Sequence, residues 1–188
     1  MAGKNVLVIL GSPRKNGNSE ILAKELISGA EAGGAKVTTF GLQEMNVNPC
    51  TACGGCQKRG ASGCVVNDDM QKIYPKIKEA DVIVIASPIY WFSVTAQTKA
   101  FIDRFYALQG KRTGAVLGKK IGILLTYGDS DVKTSGAENA IKMFKDIFNY
   151  LGAEIAGVVQ ASAWKAGDIK SNPKALKEAY ELGRKLAS

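Results

Sequence analysis

The chain has 188 residues, 46% hydrophobic and 22% charged, a composition of one globular domain with a sizeable core. A net charge of +8 and pI near 9.3 can attract nucleic acid, anionic lipid, an acidic protein or a phosphate-bearing small molecule, but with no basic arm or recognition motif the charge reads as a generally basic surface and nucleic-acid binding is not expected. The absence of histidine excludes Ser-His-Asp triads, imidazole general bases and His-ligated metals, and leaves proton movement to tyrosine, carboxylate, thiol, amide or water.

The first apolar run, Val6, Leu7, Val8, Ile9 and Leu10, is unbroken, as in a strand buried on both faces of a parallel sheet. It follows the N-terminal residues without a signal-peptide h-region, and no apolar run reaches the roughly 18 residues of a membrane span, so the expected setting is cytoplasmic. Ser19 reads as the N-cap of a helix over 20–32 that stops at Gly33 and Gly34. A second strand is expected over 36–40, followed by a long cysteine-bearing loop over 45–67, and loops of that length tend to be functional. Asp68 and Asp69 open a helix to residue 79, placing acids at its positive end. Then come a strand over 81–87, a loop over 88–93, a helix over 95–106, a strand over 120–126, a loop over 127–130, a helix over 136–151, a strand over 153–160 and a helix over 173–187. The Gly- and Lys-rich connection over 110–120 reads as a solvated loop.

Strands alternating with helices define βαβ units, and right-handed crossovers make them a doubly wound α/β sandwich. Ligands of such sheets sit at the carboxyl ends of the strands where the strand order reverses. The loop after the first strand carries Ser12, Arg14, Asn16, Gly17, Asn18 and Ser19 and enters a helix N-terminus, an anion site. It lacks the Gly-Lys-Ser/Thr end of a nucleotide P-loop and the glycine spacing of a dinucleotide fingerprint, which leaves a monophosphate. The loop after the third strand brings Pro88, Ile89, Tyr90 and Trp91, an aromatic wall for a flat ring. Phe92 reads as packing. Thr126, Tyr127, Gly128 and Asp129 close a third side. A phosphate site, an aromatic wall and a glycine turn at one crevice describe FMN.

The four cysteines, Cys50, Cys53, Cys56 and Cys64, lie on the one loop. Four readings compete: a 4Fe–4S cluster, four-thiolate zinc, a Cys-x-x-Cys redox disulfide, and free thiols facing a substrate. Zinc usually takes two separated Cys-x-x-Cys pairs, and the strand and helix context of a thioredoxin motif is missing. Count, spacing and the lack of histidine favour the cluster.

Three segments together resemble the NADPH-dependent FMN reductase superfamily: the first loop from Gly11 to Ser19; Ser87, Pro88, Ile89, Tyr90 and Trp91; and Gln97, Lys99, Phe101, Asp103 and Arg104 in the next helix. The compact cysteine run followed by Asp68, Asp69 and Met70 resembles its iron–sulfur flavoprotein branch. The resemblance implies a flavodoxin-like five-stranded parallel sheet of order 2-1-3-4-5 in a three-layer α/β/α sandwich. It implies FMN with its phosphate on Ser12, Arg14, Asn16, Asn18 and Ser19 and its ring against residues 88–91 and 126–129. A 4Fe–4S cluster on the four cysteines, NAD(P)H or reduced ferredoxin as electron donor, and a homodimer or homotetramer are implied as well. The cofactors carry the chemistry, so no side chain is expected to act as a catalytic acid or base. A cluster-free NAD(P)H:FMN or quinone reductase is the alternative enzyme. A passive flavodoxin-like carrier would be acidic and lack the cysteine loop, and a non-redox binding domain would carry no flavin.

Overall fold

The computed structural model describes residues 3–109 and 114–188; positions 110–113 of the 110–120 connection lie outside the described residues. Strands β1 (Asn5–Leu10), β2 (Lys36–Gly41), β3 (Val82–Tyr90), β5 (Lys120–Tyr127) and β6 (Glu154–Ser162) form a parallel sheet in the order β2-β1-β3-β5-β6. A two-residue strand, β4 (Ser93–Val94), turns back antiparallel on the end of β3. Counting only the parallel strands, this is the expected 2-1-3-4-5 arrangement.

Side-chain alternation along each strand divides the core into two layers. Val6, Val8, Val82 and Val84 face α1 (Asn18–Ala32) and α5 (Pro173–Ala187), packing with Leu22, Leu26, Leu182 and Leu186. Leu7, Ile9, Ile83, Ile85, Ile121 and Ile123 face α2 (Met70–Glu79), α3 (Ala96–Asp103) and α4 (Ala137–Leu151), packing with Ile73, Ile77, Phe101, Phe144 and Phe148. A strand covered on both faces must be apolar at every position, and the runs at 6–10 and 82–86 are. Helix α1, which begins at the first loop, is seated hard against α5: a Cβ on Gly29 would lie 2.0 Å from the Tyr180 carbonyl oxygen, and one on Gly183 2.0 Å from that of Leu26.

Three local expectations change. Ser19 is not the N-cap of α1: the helix starts at Asn18, Gly17 holds the cap position in an extended conformation, and no side chain caps the end. The third strand runs through Pro88 to Tyr90 instead of ending at Ser87. Proline is tolerated there because β1 pairs with β3 only as far as Ala86, so no neighbour on that side needs the missing N–H. The helix expected over 95–106 is regular only to Asp103 and tightens into a 3₁₀ turn over Arg104–Leu108.

Candidate functional site

The carboxyl ends of β1, β3, β5 and β6 open on a cleft of about 600 Å³, within the usual range of cofactor sites. Its floor begins with the first loop. The Ser12 hydroxyl accepts from the Arg14 N–H at 3.1 Å and donates to the Arg14 carbonyl at 3.2 Å. Gly17 lies so close inside this turn that a Cβ would meet the Arg14 carbonyl oxygen and Ser12 Oγ at 3.0 Å. The first helical hydrogen bond is donated by Ile21 to the Gly17 carbonyl, so the N–H groups of Asn18, Ser19 and Glu20 have no intrahelical acceptor at the positive end of α1.

Ser19 is 1% exposed, lines the cleft, and its hydroxyl has no hydrogen-bond partner. A buried hydroxyl left unpaired costs about 1–3 kcal/mol. An anion at the helix terminus would remove that cost, so the residues present fit a phosphate.

The loop is buttressed from α3. Thr95 Oγ1 donates to the Gly11 carbonyl at 2.7 Å, and a Cβ on Gly11 would fall 1.8 Å from Thr98 Oγ1. Thr95, Thr98 and Ser87 form one buried hydroxyl network behind it.

Pro88, Ile89, Tyr90 and Trp91 line the next wall. They belong to a β3–β4 hairpin whose two turn residues, Trp91 and Phe92, have φ of 48° and 64°. Paired positive φ at a two-residue hairpin turn is normally filled by Asn and Gly, so two bulky aromatics here are strained. Phe92 is anchored against Gly136, where a Cβ would come within 2.5 Å of the ring, whereas Trp91 is 93% exposed at the cleft mouth.

Thr126, Tyr127 and Gly128 form the third wall. Tyr127 is fixed by a 2.6 Å hydrogen bond to Gln160 Oε1, and burial pushes its phenol upward from the ordinary value. Trp164 lies over Gly128, where a Cβ would be 2.2 Å from the indole.

Of the fourteen residues expected around a flavin, the cleft gathers twelve. Asn16 and Asp129 do not line it: Asn16 Oδ1 accepts from Lys24, and Asp129 Oδ1 accepts from the Ser130 N–H. Asn18 does line it, but its side chain is fully engaged. Its amide donates to the carbonyls of Ala163 and Lys165 at 3.1 and 2.9 Å and accepts from the N–H groups of Gly167 and Ile169. Asn18 thereby ties the segment after β6 to the start of α1.

That segment supplies the fourth wall, which the sequence reading omits: Ala163, Trp164, Lys165 and Ala166. The last strand lies at the sheet edge, away from the switch point to which the ligand rule points, so Trp164 just beyond its end is the one local signal for this wall.

The cysteine loop lies against the core layer of α2, α3 and α4. Cys50 and Cys53 are exposed, Cys56 and Cys64 are half-buried against the core, and none is in a disulfide. Among the described residues, no three Cys, Asp or Glu side chains converge on a common metal position. The sulfurs sit among N–H donors: the Ala52 amide on Cys50, Gln57 Nε2 on Cys56, and Arg104 Nη2 on Cys64 at 3.4 Å. The Gly55 N–H and then the Thr51 hydroxyl hold the Cys53 thiol below its ordinary pKa. Four unbridged thiols supplied with N–H donors form a donor set that fits thiolate ligation of iron.

The two ends of the loop are zipped together. Asp69 and Asn46 exchange two hydrogen bonds, the Asn48 N–H donates to Asp68, and Gln71 donates to the carbonyls of Cys64 and Val66. Beneath them lies Arg104, the largest fully buried side chain, in a bidentate pair with Asp68 at 2.5 and 3.1 Å. Burial opposes charge on both partners. The pair and the surrounding hydrogen bonds outweigh it, so Asp68 titrates below and Arg104 above the ordinary value. The acids expected to face a helix dipole are thus loop-closing groups as well, with Asp68 Oδ1 also accepting from the Met70 N–H.

A doubly wound sheet with an uncapped helix terminus and an aromatic hairpin at its switch point belongs to the mononucleotide-binding α/β proteins of flavodoxin type. Residues 4–168 match the NADPH-dependent FMN reductase family, and the chain belongs to that family. It is 32% identical to an iron-sulfur flavoprotein of Methanocaldococcus jannaschii, over 97% of this chain and 95% of the relative. An iron-sulfur flavoprotein of Methanosarcina thermophila is 36% identical over 79% of this chain and 75% of its own. In fold, the chain superimposes on the NAD(P)H:quinone oxidoreductase of Methanothermobacter marburgensis with a TM-score of 0.81 at 20% identity, covering 100% and 98% of the two chains. The chain is accordingly an FMN-dependent oxidoreductase of the FMN reductase family. Among the described residues, no helix is long and apolar enough to cross a membrane.

Proposed function

We propose that this chain is an iron–sulfur flavoprotein that passes electrons between a reduced donor and an acceptor through FMN and a 4Fe–4S cluster. The observation that carries the flavin reading is the unpaired, buried hydroxyl of Ser19, a cleft-lining residue at an uncapped helix terminus. Ser19, Ser12, Arg14 and the free amides at the start of α1 hold the phosphate. Gly17 lets the backbone approach it, and Asn18 keeps the fourth wall in place. Pro88, Ile89, Tyr90 and Trp91 flank the ring on one side, and Thr126, Tyr127 and Gly128, backed by Trp164, on the other.

FMN, when bound, exchanges electrons in pairs or singly, and a 4Fe–4S cluster exchanges them one at a time. Around these groups the protein binds, orients and excludes water. Cys50, Cys53, Cys56 and Cys64 hold the cluster, which suits a reducing, cytoplasmic setting where thiols persist. NAD(P)H or reduced ferredoxin supplies electrons, and the net charge of +8 draws either anionic partner to the protein. The chain acts as one domain in a homodimer or homotetramer.

The test is iron and acid-labile sulfide per flavin on protein purified without oxygen. About four of each per FMN is the expected result. FMN without iron or sulfide would overturn the cluster reading and leave a cluster-free NAD(P)H:FMN or quinone reductase.

A further inference from the structure

Arg104 combines three properties that a merely structural residue does not need together. It is fully buried, it is bonded to both ends of the cysteine loop, and it reaches a cysteine sulfur. Nη1 donates to the Asn48 carbonyl at 2.8 Å, two residues before the first cysteine. Nη1 and Nη2 both donate to Asp68, four residues after the last, and Nη2 donates to Cys64 Sγ. The Asp68 carboxylate in turn accepts from the Asn48 and Met70 N–H groups, which fixes the plane in which the guanidinium fork lies. Tyr74 closes the other side, its ring 6.0 Å from the guanidinium carbon and its hydroxyl donating to the Arg104 carbonyl.

Cys64 follows a seven-residue gap, whereas the three preceding cysteines are separated by gaps of two. The spacing that gathers the first three does not bring in the fourth. We infer that Arg104, oriented by Asp68, is the positioning residue that holds Cys64 as the fourth ligand and keeps the cluster's reduction potential raised through its N–H on that sulfur. The inference rests on the cluster reading proposed above. Its physical basis is that hydrogen bonds to ligating sulfurs and nearby charge are principal determinants of cluster potential, and that the groups orienting a ligand tune the metal it holds. A lysine would keep the charge but cannot bridge the carbonyl, the carboxylate and the sulfur at once.

Arg104→Lys, purified without oxygen, separates this role from simple stability. Two measurements are made on it and on the parent protein: a redox titration of the cluster, and peptide-resolved alkylation rates of the four cysteines in iron-free protein. The expected result is a lower midpoint potential for the variant, with a several-fold faster alkylation of Cys64 and unchanged rates at Cys50 and Cys53. Asp68→Asn, which keeps Arg104 but removes the charge that aims it, is expected to accelerate Cys64 alkylation in the same way by less. A parent-like potential together with an unchanged Cys64 rate in Arg104→Lys would overturn the inference. Parent protein without iron would overturn the cluster reading and the claim about potential. The alkylation rates then decide positioning alone: selective acceleration at Cys64 upholds it and no change refutes it.

Discussion

The flavin cleft and the cysteine loop are held in opposite ways. Each wall of the cleft is the end of a strand, and the sheet register places it: residues as far apart as Ser19, Tyr90, Gly128 and Trp164 meet because β1, β3, β5 and β6 end on the same side. The cysteine loop has one short 3₁₀ turn, Gly55–Gln57, and is held chiefly at its two ends. Its main fixed point is the buried pair of Arg104 with Asp68. The cleft is therefore preorganised before any ligand arrives, whereas the loop has fixed ends and thiols that a bound group must draw together. One consequence is that changes at the cleft should act on binding with little effect on folding, whereas changes at the loop anchor should act on folding as well as on the cysteines it holds.

The largest expected effect tests the anchor. Asp68→Ala leaves a buried guanidinium unpaired and should destabilise the apoprotein by about 3–5 kcal/mol in urea unfolding. Cys50→Ser and Cys53→Ser, on the exposed part of the same loop, should stay within about 0.5 kcal/mol of the parent. A large loss from the cysteines would mean that the loop, and not its anchor, carries the stability.

Ser19→Ala tests the cleft. Loss of one hydrogen bond to a charged phosphate costs about 1.5–3 kcal/mol, a roughly 10- to 150-fold rise in the Kd for FMN measured by flavin fluorescence. The same substitution removes an unpaired buried hydroxyl, so the apoprotein should melt at the parent temperature or slightly above. Unchanged flavin affinity would remove Ser19 from the phosphate site.

Gly128→Ala should be milder. The added methyl meets the indole of Trp164, which is 74% exposed and can swing away. Roughly fivefold weaker FMN binding, about 1 kcal/mol, is expected with little change in unfolding. An equal loss in both would show that the fourth wall is part of the core.

Acid gives the smallest effect and touches the cysteine loop and the loop that follows the Gly128 wall. Asp131, in the loop before α4, is held down to about 2, first by the Thr134 N–H and then by the hydroxyls of Thr134 and Ser130. Asp68 is lowered by its pairing with Arg104 and Asn48 despite burial. Both folded values lie below the ordinary 3.8, so their contributions are complete above that pH and are lost as the pH falls toward and past the folded values. Hydrogen exchange should reveal opening of the cysteine loop and of residues 129–135 as the pH falls from about 4 to 2, with the sheet still protected.

Much of this was legible in the chain itself. The runs at 6–10 and 82–86 are apolar at every position because both faces of those strands are covered, and that pattern fixes a parallel, doubly wound sheet. The polar loop from Ser12 to Ser19 and the aromatics at 90 and 91 were recognisable because a phosphate and a flat ring each call for particular groups at a strand end. Other features were not readable, for reasons particular to each. Ser19 reads as a cap because serine usually is one, and only the helix start at Asn18 leaves its hydroxyl without a partner. Asn18 reads as a phosphate ligand because it sits in the loop, yet its amide is taken by a segment 145 to 151 residues away. The wall at 163–166 has no local signal stronger than one tryptophan.

The sequence by itself determined the alternation of strands and helices and the chemistry available, since periodicity and residue type are local properties of the chain; the strand order was implied only by the resemblance to the family. Tertiary structure alone decided which of those residues share a site. In sequence Arg104 is one residue of a helical segment that resembles the family, and it becomes the anchor of the cysteine loop only because Asp68, Asn48 and Cys64 converge on it from positions 36 to 56 residues earlier. A buried charge must find its partners wherever the fold brings them, and spacing along the chain carries no record of that requirement.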